Sequence, residues 1–347
     1  MYHTHFALDG TPFRNTPDTS MFFPGSNRGA VLQALYYAIN RGEGLITVIG
    51  EVGSGKTMLC RMLAQSVAPE VNLIYLPNPM LSPDLAIQAI ARELGIRLGP
   101  RADAVSTLEK VNAQLLKLHS QGRHAVLLVE EAQAMPRDTL EQIRLLGNLE
   151  THHAKLLQVV LFAQPELKTI LAEHSMRQLR DRISHAFNLI PLSRNEIRDY
   201  LQFRLTPCNG TVDSLFSTGA IRAIQIYSRG MIRRVNLLAD KSLLSAYARG
   251  ALQAEASDVR LAARDSAFSK NRFPLRFRSW FAVGAAVTLT TILAIYTSKT
   301  DTLQFADRPF DSFASTATPA HMPIAKDDKI TQTTPMTASV DLPVTAL

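Results

Sequence analysis

A glycine-rich segment that follows a short apolar run constrains this chain more than any other feature. The segment fits the pattern G-x-x-x-x-G-K-[ST] at every fixed position and consists of Gly50-Glu51-Val52-Gly53-Ser54-Gly55-Lys56-Thr57. It follows the apolar residues Leu45-Ile46-Thr47-Val48-Ile49. In that context the glycines let backbone N–H groups surround an anion, and the N-terminus of the helix that begins near Lys56 points at the same anion. The sequence therefore predicts a strand, a phosphate-binding loop and a helix.

Two side chains of the predicted loop indicate which nucleotide complex it binds. Lys56 would contact the β and γ phosphates of ATP, and the Thr57 hydroxyl would hold Mg²⁺. A glycine-rich turn with a solvated lysine is the alternative interpretation, and the order of strand, loop and helix argues against it. We therefore expect ATP and Mg²⁺ as cofactors.

Two carboxylates follow a second apolar run, Ala125–Val129. The carboxyl end of a central strand lies beside the phosphate loop in sheets of this kind. We assign Glu130 to the Mg²⁺ shell and Glu131 to orienting and deprotonating the attacking water. The metal acid at this position is usually Asp, and Glu130 is one methylene longer. The alternative is that both acids are solvated charges at the end of a strand.

Further polar residues are candidates for contacts to the reacting phosphate. Gln164 closes the predicted strand 156–163, where its side chain can sense the γ phosphate or the attacking water. Arg177 and Arg182 precede the last strand, the region from which such proteins present an arginine finger to a neighbour's nucleotide. Ordinary surface arginines are the alternative. Arg233 begins a later helix and could fold back onto the phosphates, with a surface role equally open.

Strands and helices alternate through the first part of the chain. Strands are predicted at 45–49, 72–76, 125–129, 156–163 and 184–190. Such alternation indicates a parallel sheet with helices on both faces. From Ser193 the pattern becomes helical, and Ser193 with Glu196 forms a capping box. An α/β core over 1–191 followed by a helical lid over 192–266 is the outline of an AAA+ module.

A basic linker at 267–278 leads into an uncharged apolar stretch at 279–298. As a helix at about 1.5 Å per residue, this stretch would cover roughly 30 Å, the thickness of the hydrocarbon layer of a bilayer. The basic residues of the linker place the preceding domain in the cytoplasm by the positive-inside rule. We therefore predict a single transmembrane helix, with a buried core helix as the alternative.

Charge and cysteine content bear on the surroundings of the chain. The formal net charge is +7, whereas the Thr-, Ser-, Pro- and Ala-rich residues 299–347 contain four basic and six acidic side chains. These residues are predicted to be a disordered periplasmic tail. The basic excess before them suits anionic lipid or nucleic acid. Cys60 and Cys208 indicate reduced thiols, and the first thirty residues lack the pattern of a signal peptide.

Several segments, in their order and spacing, resemble a known family over residues 1 to about 265. They are Tyr2 to Phe13, the phosphate loop, Glu131-Ala132-Gln133, Gln164-Pro165-Glu166-Leu167, Arg177-Gln178-Leu179, Arg182-Ile183 and Arg233-Arg234-Val235-Asn236-Leu237-Leu238. The family is that of the ExeA/GspA-type general secretion pathway ATPases and the related ATPase of mannose-sensitive haemagglutinin pilus biogenesis. This chain departs from it at Glu130, where the family usually has Asp.

The resemblance implies a homo-oligomeric AAA+ ATPase that is anchored in the inner membrane and helps to assemble secretion or pilus machinery. Secretion-pathway members also carry a periplasmic peptidoglycan-binding domain, and residues 299–347 are too few for one. A DNA-associated regulator like the target-selection ATPases of transposons shares this core and would explain the basic charge, but it has no need of a membrane span. A nucleotide-switched scaffold with little turnover is a third interpretation.

Overall fold

A five-stranded sheet organises the first part of the chain. In this computed structural model, which describes residues 2–99, 103–152 and 154–268, the strands are β1 Leu45–Ile49, β2 Val71–Leu76, β3 His124–Val129, β4 Leu157–Ala163 and β5 Ile183–Asn188. Their spatial order is β2-β3-β4-β1-β5, and every neighbouring pair is parallel. All five predicted strands are present, with ends that differ by at most two residues.

Helices cover both faces of this sheet, which is why its central strands are buried and largely apolar. The helices that precede residue 192 are α1 Tyr2–His5, α2 Arg28–Asn40, α3 Lys56–Ser66, α4 Pro83–Glu93, α5 Ala104–Ser120, α6 Arg137–Leu146, α7 Glu166–Ala172 and α8 Arg177–Arg180. The side chains of β3 alternate between two cores. Leu127 joins the core that includes Ile90 and Val111 of α4 and α5, and Leu128 joins the core that includes Leu35 of α2.

Five helices follow the sheet and form the lid. They are α9 Arg194–Leu205, α10 Val212–Leu215, α11 Thr218–Ser228, α12 Ile232–Ala248 and α13 Ala256–Asp265. The predicted capping box opens α9, since the side chain of each of Ser193 and Glu196 accepts a backbone N–H from the other. The lid helices share one apolar core.

The N-terminal segment belongs to the core of the lid and not to that of the sheet. Tyr2, Phe6, Leu8 and Phe13 are buried in the lid cluster, and the Tyr2 hydroxyl donates a hydrogen bond to Asp240 of α12. The described residues of sheet and lid lie in one compact unit. The division at residue 191 stays a prediction.

No helix within the described ranges is both long enough and apolar enough to cross a membrane. The stretch predicted to span the membrane, 279–298, and the tail predicted at 299–347 lie outside the described residues. Almost all of the predicted basic linker, 267–278, also lies outside them.

Candidate functional site

The carboxyl ends of three neighbouring strands bring the predicted site residues together. β1 leads into the phosphate loop at Gly50, β4 ends one residue before Gln164, and β3 ends immediately before Glu130 and Glu131. Because β4 lies between β3 and β1 in the sheet, Gln164 lies between the two acids and the phosphate loop. Parallel strands place their carboxyl ends at one edge of the sheet, which is where ligands bind in this architecture.

Two glycines give the phosphate loop a backbone that other residues rarely adopt. Gly53 has φ +77° and Gly55 has φ +102°, and Gly55 directly precedes α3. A Cβ on Gly53 would lie 2.7 Å from the Cβ of Arg233, and the backbone N–H of Arg233 donates to the Gly53 carbonyl oxygen at 3.1 Å. The start of α12 therefore touches the loop directly, so the lid and the predicted phosphate site are in contact.

The side chain of Lys56 is buried and folds back along the loop. Its Nζ donates to the carbonyl oxygens of Gly50 at 2.8 Å and Glu51 at 3.3 Å. Burial lowers the pKa of Lys56, and the carboxylate of Glu131 opposes that effect most strongly. The hydroxyl oxygen of Ser54, in the same loop, is buried and lacks a hydrogen-bond partner among the described residues.

Both oxygens of Glu130 accept hydrogen bonds from hydroxyl groups. Thr57 Oγ1 donates to Oε2 at 2.6 Å, and the Tyr75 hydroxyl donates to Oε1 at 2.7 Å. Glu130 is only 8% exposed. Burial, with the bond to Glu130, raises the pKa of Tyr75, so its hydroxyl keeps its proton. A hydroxyl and a carboxylate at this spacing are the hard oxygen ligands that Mg²⁺ prefers, and the residues fit this ion.

Glu131 is held by two side-chain amides. Its Oε2 accepts from Gln133 Nε2 at 2.6 Å and from Gln164 Nε2 at 2.8 Å. Its backbone has φ 51°, in a region that residues other than glycine adopt at a cost and often at functional sites. Burial acts to raise the pKa of Glu131, but the two amides and the charge of Lys56 lower it further than burial raises it. The group is therefore an ionised, oriented acceptor at neutral pH.

A cavity of about 340 Å³ adjoins the phosphate loop, a size typical of small-molecule sites. Lys56, Thr57 and Glu131 line one end of it. The rest is lined by α9, α12 and the segment 14–23, which we call the N-terminal strap. The strap connects the buried N-terminal segment to α2.

A chain of hydrogen bonds ties the strap to the lid. Arg204 Nε donates to the carbonyl oxygen of Pro12 at 2.7 Å, and its Nη1 donates to the Tyr200 hydroxyl at 3.2 Å. That hydroxyl donates to Asn236 Oδ1 at 2.7 Å, and Asn236 Nδ2 lies 3.4 Å from Asn15 Oδ1. We call these four side chains, Arg204, Tyr200, Asn236 and Asn15, the strap network. All four line the cavity.

Arg28 is a second buried cation beside the loop, only 2% exposed. Its guanidinium donates to the carbonyl oxygens of Ser54 at 3.0 Å, Ile190 at 3.2 Å and Gly25 at 3.3 Å. Burial lowers its pKa to about 10, so the group stays charged at neutral pH. Arg28 therefore joins the phosphate loop to the strap side of the cavity and to the end of the sheet.

The three candidate arginines occupy two different places. Arg233 lines the cavity at the start of α12. Arg177 and Arg182 are exposed and are not among the residues that line it. The side chain of Arg177 is 68% exposed and pairs loosely with Asp181 at 3.6 Å.

Sequence reasoning missed several residues of this site. Tyr75, Arg28 and three members of the strap network, Arg204, Tyr200 and Asn15, carry no motif, and each is brought to the site by contacts across long stretches of chain. Asn236 and Gln133 enter the sequence analysis only as parts of family segments. The position of Gln133, two residues after Glu131, is the signal that could have identified it as a neighbour of that acid.

Comparison with known proteins identifies the domain and a relative. Residues 39–171 match the family model of an AAA domain. The chain is 36% identical over 263 residues to general secretion pathway protein A of Aeromonas hydrophila. That alignment covers 76% of this chain and 48% of the relative, so the chain spans about half the length of the curated relative it matches.

Solved structures share the fold at lower identity. Cdc6p of Pyrobaculum aerophilum gives a TM-score of 0.55 at 21% identity and covers 72% of this chain and 71% of its own. The ORC1 protein of Aeropyrum pernix, in complex with DNA, gives 0.54 at 18% identity, with 74% and 70% covered. ORC2 of the same organism, in ADPNP–ADP complexes, gives 0.51 at 17%, with 74% and 72% covered. Residues 39–171 thus match an AAA domain, and the chain is similar to general secretion pathway protein A.

Proposed function

We propose that this chain is an ATPase that binds Mg²⁺–ATP between the phosphate loop and the lid, hydrolyses it, and supports the assembly of secretion or type IV pilus machinery. The observation that carries the proposal is the cluster at the sheet edge. A buried lysine, a Thr57–Glu130 pair and an amide-held Glu131 lie together there, and Lys56, Thr57 and Glu131 line one end of a cavity of about 340 Å³.

Each residue of the cluster has a part in hydrolysis. The loop N–H groups and Lys56 would bind the phosphates. Thr57 and Glu130 would hold Mg²⁺, which would neutralise negative charge on the phosphates. Glu131 orients the attacking water and accepts its proton. Gln164 holds the Glu131 carboxylate by a direct hydrogen bond, so it fixes the direction from which the water is activated.

We propose that the chain forms a homo-oligomer, and the position of the exposed arginines supports this. Arg177 and Arg182 are exposed and away from the cavity of their own chain. We propose that one of them reaches the nucleotide of a neighbouring copy in a homo-oligomer and stabilises transition-state charge there. Arg233, at the cavity, would act within its own chain.

Membrane anchoring is the finer part of the proposal. It rests on the uncharged stretch 279–298 with its basic flank and on the relationship to general secretion pathway protein A. We propose a single span in the inner membrane with the ATPase domain in the cytoplasm.

A reporter that is active only in the periplasm should be active when fused after Leu347 and inactive when fused after Ala263. Silence of both fusions would contradict the span.

Two substitutions test the ATPase proposal. Lys56→Ala should abolish detectable ATP binding, because the phosphates lose their buried cation. Glu131→Gln should bind Mg²⁺–ATP as the wild type does but turn it over at least about 100-fold more slowly, since only the general base is lost. The controls are Lys110→Ala and Glu109→Gln, exposed residues of α5, which should behave as wild type. Equal turnover in Glu131→Gln and wild type would contradict the assignment.

A DNA-associated regulator remains the competing function, and the net charge of +7 favours it. Such a protein should bind duplex DNA with an affinity that falls steeply as salt rises, and DNA should change its ATP turnover. We expect neither for an envelope ATPase. DNA-stimulated hydrolysis by the wild-type chain would put this alternative ahead, and binding of ATP without turnover would favour the scaffold interpretation.

A further inference from the structure

Glu130 reaches two hydroxyl groups on opposite sides of its carboxylate. Thr57, at the start of α3, donates to Oε2, and Tyr75, on β2, donates to Oε1, at 2.6 and 2.7 Å. Burial and the nearby charge of Glu130 raise the pKa of the Cys60 thiol, and a thiol is a weak donor. The carboxylate of Glu130 is therefore held mainly between one group from the phosphate loop and one group from a neighbouring strand.

The sheet explains why Tyr75 is available to Glu130. β2 pairs with β3 in parallel register, with Tyr75 opposite Leu128 and Leu76 opposite Val129. Glu130 directly follows the last residue of β3, two residues after Leu128. Its carboxylate therefore comes within hydrogen-bond distance of the Tyr75 hydroxyl. Tyr75 is half-buried against the core that also contains α3, which fixes the position of its hydroxyl.

Side-chain length decides whether this contact can form. A shorter acid at this position would place its carboxylate closer to the backbone by one carbon–carbon bond, roughly 1.5 Å. It could not keep both hydrogen bonds at their present lengths. The contact with Tyr75 thus depends on Glu at this position. The hydrogen bond also restricts the rotational freedom that the additional methylene gives to the side chain.

We propose that Tyr75 is a positioning residue of the Mg²⁺ site, whose hydroxyl holds Oε1 of Glu130 so that Oε2 faces Thr57 and the ion. The inference rests on the proposed Mg²⁺–ATP function. It explains how an acid of unusual length serves a cation that demands nearly ideal octahedral geometry. Groups that orient a metal ligand in this way typically change metal affinity or activity by about 10–100-fold when they are removed.

The effect should depend on the ion. Mg²⁺ requires ligands at fixed short distances, whereas Ca²⁺ accepts longer and more irregular ones. Loss of the Tyr75 hydroxyl should therefore weaken the Mg²⁺ complex more than the Ca²⁺ complex. A residue that served only to stabilise the fold would affect both ions equally.

The experiment is a double-mutant cycle between Tyr75→Phe and Glu130→Asp in the full-length chain. The measured quantity is the concentration of Mg²⁺, or of Ca²⁺, at half-saturation for binding of a fluorescent non-hydrolysable ATP analogue. Tyr36→Phe is the matched control, because Tyr36 is also half-buried in the same core and its hydroxyl donates to the Met62 carbonyl oxygen at 3.2 Å.

We expect Tyr75→Phe to raise the half-saturating Mg²⁺ concentration about tenfold and the Ca²⁺ concentration much less, with no change in Tyr36→Phe. Glu130→Asp should retain Mg²⁺ dependence, since the shorter acid does not need a second hydroxyl to hold it. Adding Tyr75→Phe to Glu130→Asp should then have no further effect. This rescue separates a positioning role from a folding defect, because a misfolded chain would not recover when a second residue is changed.

Three results would overturn the inference. The first is a Tyr75→Phe variant with wild-type Mg²⁺ dependence. The second is a shift from Tyr75→Phe that is the same whether or not Glu130→Asp is also present, and the third is an equal shift for Mg²⁺ and Ca²⁺. If the wild type itself bound the analogue no better with Mg²⁺, the metal assignment of the proposed function would fail, and the inference would fail with it.

Discussion

The two ends of the cavity are held by different kinds of contact. At the phosphate end, residues that follow the strands of the sheet bind one another, as in the hydrogen bond from Thr57 to Glu130. At the lid end, Arg204 of α9 holds residues near the N-terminus, as in its bond to the Pro12 carbonyl oxygen.

This difference separates nucleotide binding from folding. The groups at the phosphate end would touch the ligand, while Tyr200 of the strap network also belongs to the apolar core of the lid, and Arg204 and Asn236 are buried. We therefore expect changes at the phosphate end to act mainly on nucleotide affinity. Changes in the strap network should act on affinity and on the free energy of unfolding together.

Among the substitutions that test this comparison, Gly53→Ala should have the largest effect on ATP affinity, because Gly53 lies where the two ends meet. The new methyl group would meet the Cβ of Arg233 at 2.7 Å, and φ of +77° is unfavourable for alanine. We expect ATP affinity to fall on the order of 100-fold, or about 3 kcal/mol, measured by calorimetry.

Gly122→Ala is the control for that substitution. Gly122 has nearly the same φ, +74°, but nothing lies within 4 Å of the position of its Cβ. It should cost about 1 kcal/mol of stability and leave ATP affinity unchanged. If Gly53→Ala behaved in the same way, contact between the lid and the loop would not matter for binding.

Arg204→Met should have the next largest effect. It removes the donors to the carbonyl oxygens of Pro12 and Arg14, so the strap would detach from the lid. We expect a loss of about 3 kcal/mol in the free energy of unfolding and an ATP affinity about tenfold weaker. Urea unfolding and equilibrium binding measure the two.

Arg198→Met is the comparison, since Arg198 pairs with Asp213 on the exposed surface of the lid. Such a pair contributes about 0.5 kcal/mol or less. If the strap network serves only folding, Arg204→Met should lose stability but keep the ATP affinity of the wild type. That result would contradict the proposed link between the strap and the nucleotide.

The strap network also shows what the sequence could not predict. The strands, the capping box at Ser193 and the position of Gln164 at the end of β4 follow from periodicity and from motifs that are local in sequence. Contacts such as Arg204 to Pro12 depend on how the lid folds back onto the N-terminus, and no local pattern encodes that.

A further difference has a local cause. No helix was predicted at 28–40, although the buried residues Val31, Leu35 and Ile39 of α2 recur at helical spacing. This helix lacks a side-chain cap and acidic residues in its first turn. The roles assigned to Glu130, Glu131 and the arginines stay predictions.

Tyr200→Phe should have a smaller effect, because it removes one hydroxyl from the middle of the strap network while the ring remains. Arg204 and Asn236 each lose one hydrogen bond. We expect about 1 kcal/mol less stability and an ATP affinity about threefold weaker, since Asn236 loses the group that orients its amide towards Asn15. Tyr36→Phe should lose similar stability without a change in affinity, and equal affinities in the two variants would remove Tyr200 from the site.

The smallest effect on ATP affinity is expected for Asp258→Asn, in a part of the lid that is distant from the cavity lining. Asp258 is 2% exposed and accepts hydrogen bonds from Ser245, from Arg249 and from the backbone N–H of Glu255. Burial acts to raise the pKa of Asp258, but these donors lower it below its ordinary value.

A carboxylate whose pKa is lowered by folding stabilises the native state above the unfolded pKa of Asp, about 3.9. That contribution is lost as the pH falls through the lower pKa of the folded chain. Asp258→Asn should therefore reduce stability by about 2 kcal/mol at pH 7, and its deficit relative to wild type should stay constant down to about pH 5 and narrow in stronger acid. Urea unfolding at several pH values measures the deficit.

ATP affinity at pH 7 should equal that of the wild type, because this carboxylate stabilises the lid without holding the strap. A loss of affinity similar to that of Arg204→Met would mean that any weakening of the lid weakens the site, and the distinction between the strap network and the rest of the lid would no longer hold.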